Sequence, residues 1–129
     1  MVKSYGDCVV SVLRGHKDLE VWKRSMTFVT TIYQITRDFP KDEVYGITNQ
    51  MRRAAVSIPS NIAEGASGGF DKEFVQFLHI ALGSLSELET QILIAGNLQY
   101  LSNVEHLTSE TEMLRKLLNG LIYSLKKRS

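Results

Sequence analysis

The 129-residue sequence holds one cysteine, two prolines and one tryptophan, and no long apolar run. A single cysteine closes no internal disulfide, which fits a reducing cytoplasm. No stretch approaches the ~20 apolar residues that a membrane-crossing helix needs. The run from Cys8 to Leu13 is too short for a secretory core, and no small-residue cleavage site follows it. The three histidines, His16, His79 and His106, stand with Cys8 in no ligand spacing, so no metal site is expected. With few prolines and no strand-turn-strand alternation, little of the chain reads as sheet. A formal charge of +1 argues neither for nor against a polyanionic partner.

What is present is a soluble, helical pattern. Apolar residues make up 43% of the chain and charged residues 22%, as in a globular domain able to bury a core. Four helical segments can be placed. The first runs from Asp18, a good N-cap, to about Phe39, where Pro40 stops it. The second follows "PKDE" and reaches about Gly65, with "GASGG" as its exit. The third begins near Asp71 and ends near Gly96 and Asn97. The fourth opens at "SNVE", where Ser102 and Glu105 have capping-box spacing. Such segments joined by short turns predict an all-α, antiparallel up-down-up-down four-helix bundle over residues 17–129. Residues 1–16 do not join the pattern and read as a flexible N-terminal extension.

Pro59 falls inside the second segment. Ile47, Met51, Ala54, Ala55, Ile58 and Ile62 keep one phase across it, so the helix is expected to bend there and continue. Proline removes one backbone bond at a cost of roughly 3 kcal/mol, and Ser57 and Ser60 stand ready to satisfy freed groups.

The first segment is apolar on two sides. Leu19, Trp22, Met26, Val29 and Tyr33 make one stripe; Val21, Phe28, Ile32, Ile35 and Phe39 make a second, nearly opposite. The third has a main face of Phe74, Phe77, Ala81, Leu85, Leu88 and Ile92, with Val75, Leu82 and Leu93 elsewhere. A corner helix of a four-helix bundle needs only one buried stripe. Self-association into a homo-oligomer is therefore expected, with Val21, Phe28, Ile32, Ile35 and Phe39 as the oligomer interface.

Catalytic signatures are missing. There is no H-E-x-x-H, no paired E-x-x-H and no G-x-S-x-G. "EGASGGFDKE" has glycines before a helix start but no G-K-[ST], and Asp71 and Glu73 occupy the positive helix end themselves. No cofactor is expected. Charge distribution carries more content. Residues 70–112 hold one lysine against seven acids, a net of −6, while residues 113–129 hold five cations and no acid. In an antiparallel bundle that basic tail lies beside the start of the first helix. Lys17, Lys23, Arg24, Lys126, Lys127 and Arg128 are the expected phosphate contacts, followed by Arg52 and Arg53, of which at least one serves packing. The same pole also suits the helix macrodipole of a single chain.

"DLEVWKRS", "FPKDEVYGITNQMRRAAVSIPSNIAEG", "KEFVQFLHIALGSLSELETQ" and "LRKLLNGLIYSL" together resemble the 23S ribosomal RNA intervening-sequence proteins over about residues 17–127. The resemblance implies a helical bundle assembled as a ring-like homopentamer, with no established enzymatic activity. It also implies kinship with accessory proteins of diversity-generating retroelements, which bind nucleic acid and a reverse transcriptase. The expected partners are thus further copies of the chain, RNA or DNA, and a protein such as a polymerase, but no membrane. Arg52, Arg53, Asn61, Glu64 and Gly65 match the family's signature block.

Overall fold

The structure, a computed structural model, describes residues 15–128. The expected extension, residues 1–16, lies almost wholly outside the described residues. Four α-helices follow a short 3-10 turn at Gly15–Asp18: α1 (Glu20–Thr36), α2 (Ile47–Ser67), α3 (Asp71–Asn97) and α4 (Val104–Lys127). A second 3-10 turn, Lys41–Glu43, lies between α1 and α2. Consecutive helices pack on one another, most extensively α2 on α3.

The neighbours run antiparallel. Arg52, near the start of α2, reaches Tyr33 and Thr36 at the end of α1. Gly65, near the end of α2, abuts Phe74 and Phe77 at the start of α3. Arg128, beyond α4, meets Asp71 at the start of α3. The all-α, four-helix expectation holds.

The helix ends differ in detail. At α1 the N-cap is Leu19, which makes no side-chain cap bond, and the helix stops at Thr36. Phe39 lies beyond the helix, buried, with its ring 5.3 Å from that of Tyr100. At α4 the N-cap is Asn103, again without a side-chain cap bond, so the Ser102–Glu105 capping box does not form. The end of α3 is a Schellman turn: Tyr100 N–H donates to Ala95 C=O at 2.9 Å and Gln99 N–H to Gly96 C=O at 3.0 Å. Its left-handed residue is Gln99, at φ 63°, and neither Gly96 nor Asn97 fills that place. Gly96 is needed instead for closeness, since a Cβ there would strike the Val104 side chain.

Pro59 lies inside α2, which runs unbroken past it, and its side chain is buried. Ser57 does not serve the backbone as expected. Its hydroxyl bonds Ser84 of α3 at 2.8 Å, and Asn61 Nδ2 donates to it at 2.9 Å.

The two stripes of α1 change places. Val21, Phe28, Ile32 and Phe39 are in the core of the single chain, with Ile32 wholly inaccessible and Ile35 half-buried against it. They are covered by the chain's own helices, so they do not form the oligomer interface assigned to them. The stripe expected to face inward is the outer one beyond Leu19: Met26 is 44% exposed and Tyr33 40%. On α3, Leu78 is fully buried while Phe77 is only partly so.

Candidate functional site

The eight basic residues singled out by sequence meet different fates. Arg24 faces Glu110 at 3.2 Å, and Glu110 lies only seven residues into α4. The start of α1 therefore rests against the first part of α4 and not against its basic end. Arg128 at the far end grips Asp71 through two hydrogen bonds. That contact holds the Asp71 carboxyl below its ordinary 3.8, chiefly through the hydrogen bond from Arg128. The expected single basic pole is thus divided, and two of its arginines close the bundle.

Lys127 lies 5.6 Å from the ring of Tyr123 and is exposed, as is Lys126. Lys23 is exposed beside a depression of about 400 Å³ between α1 and α4, where Glu20 and Glu110 offset its charge. Lys17 is exposed on the first turn. Arg52 is fixed inside the protein's own surface: Nε donates to Thr36 Oγ1 at 2.8 Å, and its guanidinium stacks 4.6 Å over Tyr33. Arg53, one residue on, is exposed and makes no ion pair among the described residues. The α3 carboxylates Glu89 and Glu87 are engaged elsewhere, Glu89 with Arg115 at 2.8 Å and Glu87 with Gln91 at 3.3 Å.

Beside Arg53 the outward faces of α1 and α2 form an apolar seam. Trp22, Met26 and Val29 line a depression with Val56 and Pro59, and Tyr33 continues it toward Arg53. His16 packs edge-on to Trp22, with ring centroids 4.9 Å apart. This seam has both properties of an interaction surface: exposed aromatic and methionine area, and an arginine rim. Among the described residues, no three His, Cys, Asp or Glu side chains gather as metal ligands. None of the helices described is long and apolar enough to cross a membrane.

The description "23S rRNA-intervening sequence protein" matches this chain over residues 17–120. The chain belongs to that family. A crystal structure of a protein of unknown function from the S23 ribosomal protein family, from Bacteroides thetaiotaomicron, has a similar fold, with a TM-score of 0.70. It is 23% identical, and the match covers 79% of this chain and 97% of that one. No curated protein matches.

In this member of the intervening-sequence family the "RRAAVSIPSNIAEG" block is largely structural. Arg52 ties α2 to α1, Ser57 joins α2 to α3 and is held by Asn61 one turn on, and Gly65 admits the Phe74 ring. Arg53, Val56, Ser60 and Glu64 face solvent. Two exposed cations outside the sequence-based choice, Arg37 and Lys41, line a depression with Arg52 and Thr48 at the corner between α1 and α2. Their sequence signal is weak, because Asp38 and Asp42 follow each of them directly.

Proposed function

We propose that this chain is a non-catalytic helical bundle that self-associates through the outer seam of α1 and α2 and, so assembled, binds RNA or a ribonucleoprotein in the cytoplasm. One observation carries the reading. An apolar seam of Met26, Tyr33 and Val56 is left to solvent, with Trp22 and Val29 half-buried along it and Arg53, which has no ion pair among the described residues, at its edge. A net charge of +1 per chain gives one copy little hold on a polyanion. Assembly repeats Lys17, Lys23, Arg53 and Lys127 around the particle, and linked weak contacts multiply. The ring-like homopentamer that the family resemblance implies is one such assembly. The family's name, which refers to 23S rRNA, favours RNA over DNA. Contacts of this kind hold phosphates and do not read sequence.

A protein partner, such as a reverse transcriptase, is the second reading, and the same seam favours it. The acidic run at 70–112 favours it less, since Asp71, Glu89, Glu110 and Glu112 are already paired with arginines.

Light scattering, followed by binding of labelled RNA and DNA across a salt series, tests the first reading. An oligomer is expected, with RNA affinity that falls steeply as salt rises. Met26→Glu with Tyr33→Glu should reduce the mass while leaving helicity intact. Arg53→Glu should weaken RNA binding without changing the mass. A monomer with no affinity for RNA at low salt would sink this reading and turn the search to a protein partner.

A further inference from the structure

We propose that the corner between α1 and α2 is a phosphate-binding site, made by Arg37, Lys41 and Arg52 around Thr48. These residues line a surface depression of about 440 Å³, walled on its apolar side by Pro40 and Val44 and lined by no carboxylate. Arg37 and Lys41 are exposed, and their side chains have no ion pair or hydrogen bond among the described residues. Arg52 is held ready. Its Nε and Nη2 are bound by Thr36 Oγ1 and the Tyr33 carbonyl, and its plane is set by the Tyr33 ring, which leaves Nη1 without an acceptor among the described residues.

Thr48 supplies an independent observation. It is only 5% exposed, and its hydroxyl has no hydrogen-bond partner among the described residues. A threonine inside a helix can bond the carbonyl four residues back, as Thr36 does with Ile32 at 2.7 Å, but Thr48, second in α2, makes no such bond. Closed off from solvent as it stands, the orphan hydroxyl turns toward the ligand oxygen that satisfies it.

The nearby acids do not cancel the site. Glu43 is turned away: one carboxylate oxygen accepts from Tyr100 Oη at 2.8 Å, the other from Ile47 N–H at 3.3 Å. That contact takes the axial place at the start of α2, so the site is beside the helix and not on its end. The hydrogen bond from Tyr100 to Glu43 also raises the Tyr100 pKa. Asp38 and Asp42 are exposed on the same connection and do not line the depression.

Two guanidinium groups, an ammonium and a hydroxyl give a set dominated by donors, which suits a ligand that only accepts. A tetrahedral phosphate with several oxygens matches the flat guanidinium edge and the mobile lysine together. The depression is larger than one ion, so the phosphate has room for an attached group. Its source is either free phosphate or an RNA phosphate, and the second rests on the RNA reading above.

The test is NMR titration of the full chain with inorganic phosphate, at ionic strength held constant with chloride, and then with a 5′-phosphorylated trinucleotide. Saturable shifts are expected at the Thr48 and Asn49 amides and the Arg52 side chain. Arg37→Ala with Lys41→Ala should weaken binding about tenfold, the usual scale for charge-assisted contacts to phosphate. Thr48→Val, which keeps the shape, should weaken it several-fold with helicity unchanged. Absence of a saturable shift with either probe overturns the site, as do shifts that persist unchanged in the double variant. If the site falls on those grounds while RNA still binds, the RNA reading stands alone. Phosphate binding without RNA binding keeps the site and assigns it a free phosphate. Displacement of phosphate by the trinucleotide assigns it the nucleic acid.

Discussion

Where α2 meets α3, small residues let the helices close. A Cβ added at Gly65 would lie 2.7 Å from the Phe74 ring and 2.8 Å from Phe77 Cβ, and Ala54, Ala55 and Ala81 are buried with them in the core. Where α1 meets α4, Arg24 spans to Glu110 beside a depression of about 400 Å³, and both side chains remain about a third exposed. Both seams belong to one bundle, but shape sets the first and long polar side chains bridge the second. Interiors tolerate little change of volume, whereas exposed ion pairs contribute little. The tight seam therefore holds most of the fold's specificity, and the loose one is where sequence change is cheap.

Gly65→Ala gives the largest contrast. Alanine is the better helix former, yet its methyl group has no space beside Phe74 and Phe77. A net loss of about 1–3 kcal/mol is expected in chemical denaturation, the usual cost of overpacking. A gain in stability would show that α2 and α3 slide apart easily, and the contrast between the seams would break.

Ser57→Ala probes the same seam through its polar link. It removes the bond to Ser84 and the one accepted from Asn61. Because both partners are half-buried, a loss of about 1 kcal/mol is expected. A double-mutant cycle with Ser84→Ala should find the two substitutions coupled.

How much of this was legible beforehand follows from what each residue says about itself. Helical period and the main turns reveal the four helices, because Ile47, Met51, Ala54, Ile58 and Ile62 repeat at one phase across Pro59. The direction of α1 was not legible from period alone, since both stripes are equally apolar. One chemical hint existed: the outer stripe carries Trp22, Met26 and Tyr33, and a Trp N–H or Tyr O–H costs energy to bury without a partner. Val21, Phe28 and Ile32 have no such tip. The candidate site was less visible. That Arg24 and Arg128 are engaged depends on Glu110 and Asp71, 86 and 57 residues away in sequence, and no local pattern announces such pairs. Arg37 and Lys41 were hidden by their acidic neighbours, which cancel in a charge count but point elsewhere in space.

Arg24→Gln tests the loose seam. Its ion pair is a third exposed, so solvent screens it, and the expected loss is under about 1 kcal/mol, shrinking further in high salt. A loss as large as that of Gly65→Ala would mean that α1 is fastened to the bundle by this pair, and the two seams would no longer differ in kind.

The smallest effect concerns pH at a third contact, where Arg128 closes α4 onto α3. The folded Asp71 carboxyl titrates below its ordinary 3.8 because Arg128 hydrogen-bonds its charged form. A depressed carboxyl stabilises the fold above its unfolded pKa, and that contribution fades as pH falls through the lower, folded value. The gap between the natural chain and Asp71→Asn should therefore stay constant from neutral pH down to about 5, then narrow below about 4. With both partners about a quarter exposed, the gap should stay within about 1 kcal/mol. A gap that instead opens on acidification would mean that Arg128 stabilises the neutral acid. The contact would then belong with the α2/α3 seam, where fit and not charge decides.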